Sequence, residues 1–149
     1  MVDTREKPRA IKGIIDYFDK QNIKHISSKL YVGDYQMLDN PLVVVDRKNG
    51  LGEVCSNVIQ DHKRFVGELE KAKEIGITLY ILVANDNNIK CLKDVAKWYN
   101  PRLRVSPKAT KGVTLMKAMY TIEKKYGCKF VFCPKKAAGK YILDLLGGN

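Results

Sequence analysis

Residues Val32 to Lys48 read VGDYQMLDNPLVVVDRK. Two β-prone runs flank DNP, which is a turn signal. The second run, LVVVDRK, carries three consecutive valines, and β-branched side chains favour a strand. The simplest consequence is an antiparallel hairpin. A turn centred on Asn40 pairs residues whose numbers sum to 80, so Asp34 faces Asp46. Opposed side chains in such a ladder have Cβ atoms ~4.5–5.5 Å apart, and the period of two puts Lys48 on the face of Asp46. Carboxylates so placed repel each other. One resolution is a divalent cation between them, with the lysine beside a phosphate; these are the parts of a metal-dependent phosphodiesterase. The other is structural: Asp34 is a turn acid next to Gly33, and Asp46 ends a strand in an ion pair with Arg47 or Lys48. The spacing leaves both open.

Outward from this hairpin, strands and helices alternate. KPRAIKGIIDYFDKQNI predicts a helix with Ile11, Ile14, Ile15 and Phe18 on one face and Pro8 in its first turn. KHISSKLYVGDYQML reads as extended chain. From about Glu53 to Glu74 the pattern predicts one long amphipathic helix, with Val54, Val58, Phe65, Leu69 and Ala72 as its stripe and Gly76 as its stop. ITLYILVA is a continuous apolar strand, buried on both faces. CLKDVAKWY predicts a short helix ending before Asn100-Pro101. TLMKAMYTIEKKY is a helix, KFVFC a strand and AGKYILDLL a last helix. The order implies a single α/β domain over residues 1–149, with a central mixed sheet flanked by helices.

Composition limits the function classes. Of 149 residues, 45% are hydrophobic, enough for a packed core. Lys and Arg total 27 against 16 Asp and Glu, a net charge of +11, which favours a polyanionic partner and nucleic acid above all. Cys55, Cys91, Cys128 and Cys133 form no C-x-x-C pair, and His25 and His62 are the only histidines, so structural zinc is not expected. No apolar run approaches the ~20 residues of a membrane span. The charged start MVDTREKPRA does not read as a secretory signal. A cytoplasmic, nucleoid-associated protein with no membrane partner is expected. CPKKAAGKY has a Gly-Lys pair but lacks the spacer and leading glycine of a P-loop.

Three pieces together, DTRE (Asp3 to Glu6), GDY (Gly33 to Tyr35) and VDRK (Val45 to Lys48), resemble the pattern of the XPF-type structure-specific endonuclease domain. That domain is a branch of the PD-(D/E)xK, restriction-endonuclease-like nucleases. The resemblance implies a restriction-endonuclease-like sheet and a Mg²⁺- or Mn²⁺-dependent DNA endonuclease acting on branched or flapped DNA. A non-catalytic DNA-binding subunit of a nuclease complex is the alternative, since the family includes degenerate partners. By the same resemblance Asp34 and Asp46 would be metal ligands and Lys48 the catalytic lysine. Arg47 would contact a phosphate or support the site, and Glu6 would ligate a second metal or its water. Asp3 would be a support and Arg5 a DNA contact. Lys63 and Arg64 lie where relatives keep a phosphate-binding arginine, and Lys108 and Lys111, in the basic loop SPKATKG, would touch backbone phosphates.

Two positions depart from the pattern. The family usually has Glu where Asp46 stands. It often has Asp four residues after the lysine, where this chain has Gly52 followed by Glu53, leaving Glu53 as a support at a helix start. Short nucleases of this kind resemble those encoded by bacteriophages. Relatives dimerise partly through the nuclease domain, so a homodimer is expected, joined through a stripe of Leu115, Met119, Ile122, Ile142 and Leu145.

Overall fold

The structure, a computed structural model, describes residues 1–147. Six strands form one sheet: β1 (Val2–Asp3), β2 (Ser27–Ser28), β3 (Tyr35–Met37), β4 (Asn40–Asn49), β5 (Thr78–Ala84) and β6 (Lys129–Cys133). Their order is β2-β1-β3-β4-β5-β6. β4, β5 and β6 run parallel, β3 is antiparallel to both β1 and β4, and β2 is parallel to β1. The helices are α1 (Lys12–Lys20), α2 (Leu51–Cys55), α3 (His62–Glu74), α4 (Gly112–Tyr126) and α5 (Ala138–Leu145). The expected mixed α/β sheet is present. No helix among the described residues is long and apolar enough to cross a membrane.

Strand alternation divides the core into two layers. Val44, Ile81, Val83, Phe130 and Phe132 point to one face, where Val54, Phe65, Leu69, Leu115 and Met119 cover them. Val45, Leu82, Ala84 and Cys133 point to the other, under Ile14 and Phe18 of α1 and Ile142 and Leu143 of α5. This explains why the stripe expected to join two copies is absent. Leu115, Met119 and Ile142 are fully enclosed, Ile122 is 4% exposed, and Leu145 packs half-buried against the α1–α5 layer. A sheet apolar on both faces needs both helical layers, so α4 and α5 spend their apolar sides inward.

The hairpin has the expected register by a different turn. Tyr35 pairs with Val45 and Gln36 with Val44, but Met37 pairs with Asn40. The chain therefore reverses at Leu38-Asp39, and an irregularity in β4 absorbs the difference. Pro41, which cannot donate to a ladder, lies in that irregular stretch.

Local differences have local causes. The first helix starts at Lys12, so Pro8 lies in the turn before it. The extended reading of residues 24–38 shortens to β2 and β3. CLKDVAKWY makes 3-10 turns over Leu92–Lys97 rather than an α-helix. The helix expected from about Glu53 to Glu74 begins at Leu51 and is interrupted. A π-helical stretch, Ser56–Gln60, follows α2, and Asp61 (φ −102°, ψ 34°) breaks the path before α3. One wide turn advances the side chains out of a 3.6-residue period. The stripe then spans two helical pieces and the wide turn between them.

Ile142→Ala tests the assignment of α5 to the core. It is expected to cost about 2–5 kcal/mol in urea unfolding, as buried Ile truncations do, with no change of mass in light scattering. A loss below about 0.5 kcal/mol, the level typical of surface positions, would place Ile142 on the outside.

Candidate active site

The hairpin and α3 enclose a cavity of about 270 Å³. Asp34, Asp46 and Lys48 line it from the sheet; Asn57, Asp61, Arg64, Phe65 and Glu68 line it from the helical side; Asp3, Arg5 and Gly33 complete it. Five carboxylates against three cations make this a locally negative place in a strongly cationic protein.

Gly33 sets the position of Asp34. Its φ is +72°, and a Cβ there would overlap Val44 Cγ1 and approach Val45 O at 3.2 Å. Only glycine combines that backbone with that proximity. The Asp34 amide then donates to Val45 O (2.9 Å), and its carboxylate Oδ2 accepts from the Arg47 amide (2.7 Å). The side chain is thereby aimed at Asp46. Burial pushes the Asp34 carboxyl well above its usual range, and the facing charge of Asp46 and a hydrogen bond with it push it further; Glu6 adds a smaller upward pull, and the Arg47 amide only partly offsets them.

Lys48 answers part of this charge. Its Nζ lies 3.1 Å from Asp46 Oδ2 and 5.6 Å from the centroid of the Phe65 ring. Burial acts to lower the ammonium's pKa, but Asp46 foremost, then Glu53 and Asp34, outweigh it and raise it. Lys48 stays charged.

Arg47 points to the other face, as strand alternation requires. Its Nε and Nη2 donate to Glu6 Oε1 (3.2 Å) and Oε2 (2.8 Å), a bidentate pair 12% and 6% exposed. Neither residue lines the acid cavity. Glu6 thus spends both oxygens on Arg47. Its geometry is that of a brace joining the N-terminal segment to β4, rather than a second metal ligand's.

Asp3 is 1% exposed and accepts from the Leu30 amide (2.9 Å), the Arg5 amide (3.1 Å) and Arg5 Nε (2.7 Å). Burial acts upward on its carboxyl, yet Arg5 and these amides hold it below the usual range. The Asp3 amide donates to Asp34 O (2.7 Å), so the DTRE segment supports the loop that carries Asp34. Arg5 stands at the cavity's edge, 54% exposed.

The remaining expected residues divide. Arg64 lines the cavity; Lys63 is exposed on α3 outside it. Glu53 accepts from the Asn49 amide (2.8 Å) at the start of α2, a support. Lys108 lines a different groove, and Lys111 precedes α4 in the same loop. Asn57, Asp61 and Glu68 were not legible as site residues. The π-helical stretch turns Asn57 inward, and its Oδ1 is buried without a hydrogen-bond partner.

No group of three or more His, Cys, Asp or Glu side chains among the described residues is placed to hold an ion alone. The donor set still suits a hard cation. Mg²⁺ is commonly held by one or two carboxylates, with water and substrate phosphate completing six oxygens. Two opposed carboxylates and an orphaned amide oxygen meet that description.

Comparison with known proteins came to the same fold. The family model of the ERCC4 domain matches residues 2–145. No curated protein matches. The solved structure of XPF from Aeropyrum pernix superposes with a TM-score of 0.63 at 19% identity, over 99% of this chain and 64% of that one. The same protein in complex with DNA gives a TM-score of 0.66 at 18% identity, over 98% and 62%. The chain therefore spans somewhat less than two thirds of the structures it matches.

The Asp34 shift predicts a pH dependence. Its pKa is higher folded than unfolded (~3.9 unfolded). Its contribution to stability is therefore full below about pH 4 and is lost as the pH rises toward the folded value. In chelator-containing buffer, Asp34→Asn is expected to melt above the wild type at neutral pH, with the gap closing as the pH falls to about 4. A variant less stable at neutral pH would mean that the carboxylate is not strained by Asp46.

Proposed function

The chain belongs to the ERCC4 domain family, and from that premise we propose that it is a metal-dependent DNA endonuclease acting on branched or flapped DNA. The observation that carries this reading is the meeting of Asp34, Asp46 and Lys48 in one cavity, with the two acids opposed. From spacing alone the purely structural reading was equally open, and the resemblance to the nuclease family tipped it toward a metal site. The structure gives Asp46 a Lys48 partner but leaves Asp34 half-buried facing Asp46, held against ionisation, a cost that fold stability does not call for.

Asp34 and Asp46 would hold Mg²⁺ or Mn²⁺, with Asn57 Oδ1 available to the ion or its water. When bound, such an ion would supply Lewis-acid polarisation of the phosphoryl group and a lower pKa for a water held by these acids. Lys48, kept charged and packed on Phe65, neutralises the negative charge that grows on the phosphate. Arg64 and Arg5 face the same cavity and can hold non-bridging phosphate oxygens. Arg47 and Glu6 act by position, fixing the β4 backbone whose amide orients Asp34. The +11 charge of the chain supplies the long-range attraction for DNA, which the locally acidic cavity cannot.

The direct test is cleavage of flap, fork, Holliday-junction and linear duplex DNAs with and without Mg²⁺. Binding without cutting under every divalent condition would assign the chain to the non-catalytic alternative. Asp46→Asn is expected to abolish cleavage while DNA binding stays level or tightens, since a ligand is lost and repulsion of phosphate falls. Wild-type turnover in that variant would remove the metal site. Lys48→Ala is expected to slow turnover by ~10²–10³ while calorimetric Mn²⁺ affinity changes little. Lost Mn²⁺ binding with activity kept would reverse its role.

A further inference from the structure

A groove of about 550 Å³ lies on the far side of the wall that carries Asn57. Gly52, Ser56 and Ile59 form one side, and the loop from Asn100 to Thr110 forms the other. The wall is shared: Asn57 and Asp61 face the acid cavity, Ser56 and Gln60 the groove. A helix is ~10 Å across with its side chains, so a strand leaving the cavity needs only a short path to reach the groove.

The opposing loop is fixed in shape. Asn100, 3% exposed, donates from Nδ2 to Thr110 O (2.9 Å) and accepts at Oδ1 from the Arg102 amide (3.0 Å), clipping the loop's two ends together. Gly112 then passes so close to the carbonyls of Trp98 and Val95 that a Cβ would clash with them.

The chemistry of the groove has one sign. No carboxylate lines it, while Arg102 and Lys108 do. Neither they nor Arg104 and Lys111 of the same loop form an ion pair among the described residues. On the two walls of the same groove, Ile59 of the helical side is 41% exposed and Val105 of the loop 87%. Cations that track a backbone, beside exposed side chains that take base faces, are the recurrent design of single-strand binding grooves; those side chains are usually aromatic, and here aliphatic Ile59 and Val105 stand in their place. The groove is too small for a double helix.

We propose that this groove takes the unpaired strand of a branched substrate, with bases on Ile59 and Val105 and phosphates on Arg102 and Lys108. The inference rests on the nuclease reading of the neighbouring cavity and deepens it: a junction, unlike continuous duplex, offers an unpaired strand to the groove while its phosphodiester sits over the acids.

The test is binding of a fluorescein-labelled oligothymidylate and a duplex of equal length, followed by anisotropy without divalent metal. Arg102→Gln with Lys108→Gln is expected to weaken the oligothymidylate about tenfold and to reduce its salt slope by about 1.4, at ~0.7 per cation for single strands. Duplex affinity should stay within about twofold. Gly52→Phe fills the groove without altering charge, at a helical position where a Cβ meets nothing within 4 Å; it is expected to give the same selective loss. Unchanged oligothymidylate affinity, or equal losses on both probes, would overturn the proposal. Arg102 and Lys108 are exposed, so the double variant decides even if Gly52→Phe does not fold. Because no metal is present, a chain that cuts nothing yet keeps these differences would lose the nuclease reading and keep the groove.

Discussion

The opposition of Asp34 and Asp46 is a constraint that much of the molecule serves. Left alone, two carboxylates across a ladder push a hairpin apart. Here each is held in place by something outside the pair. The Arg47 amide and the Val45 carbonyl fix Asp34. Lys48, backed by Phe65, fixes Asp46. The half-buried Glu6–Arg47 pair anchors the same strand from the opposite face of the sheet, and the Asp3 cluster anchors the loop. Because β4 is central, any relief of the repulsion by strand movement would disturb two packed layers. Close packing makes that costly, so the two acids stay opposed in the folded state and Asp34 is held against ionisation.

Much of this was legible in the chain. The valine run fixes β4, and alternation separates Asp46 and Lys48 from Arg47. The register that makes the acids face each other followed from the DNP turn signal and holds, although the turn itself does not: DNP suggested a centre at Asn40, and the chain reverses at Leu38-Asp39 with an irregular strand making up the difference. That detail was hidden because a bulge leaves the pairing beyond it intact. The π-helical stretch was hidden for the opposite reason. Val54, Val58, Phe65, Leu69 and Ala72 all belong to the core, as the periodicity says, but a stripe of apolar residues carries no mark for one widened turn between them. Asn57 is brought to the cavity by that turn and could not be placed without it. The C-terminal stripe failed on a count of surfaces: five apolar positions look surplus to one core and are needed by a sheet with two covered faces.

The charge distribution works at two ranges. At long range the protein is a cation, and the field draws any polyanion. At the acid cavity the local balance is negative, so phosphate there is opposed unless a cation accompanies it. Attraction to the surface and admission to the site are thus separate requirements. Nonspecific contact of nucleic acid with the exterior does not by itself bring a phosphodiester against Asp34 and Asp46.

The central strand also fixes the order in which the molecule can complete itself. β5 is enclosed on both faces and pairs on one edge with β4, but 44 residues lie between its end and its other partner, β6 (Ala84 to Lys129). Loop closure of that length delays the final pairing. In a chain made from its N-terminus, all the residues of the acid cavity emerge before the strand that seals the sheet. In that interval LYILVA is an uncovered apolar edge, the kind of segment that seeds aggregation. The excess of lysine and arginine that favours nucleic acid in the finished protein keeps these unfinished chains apart.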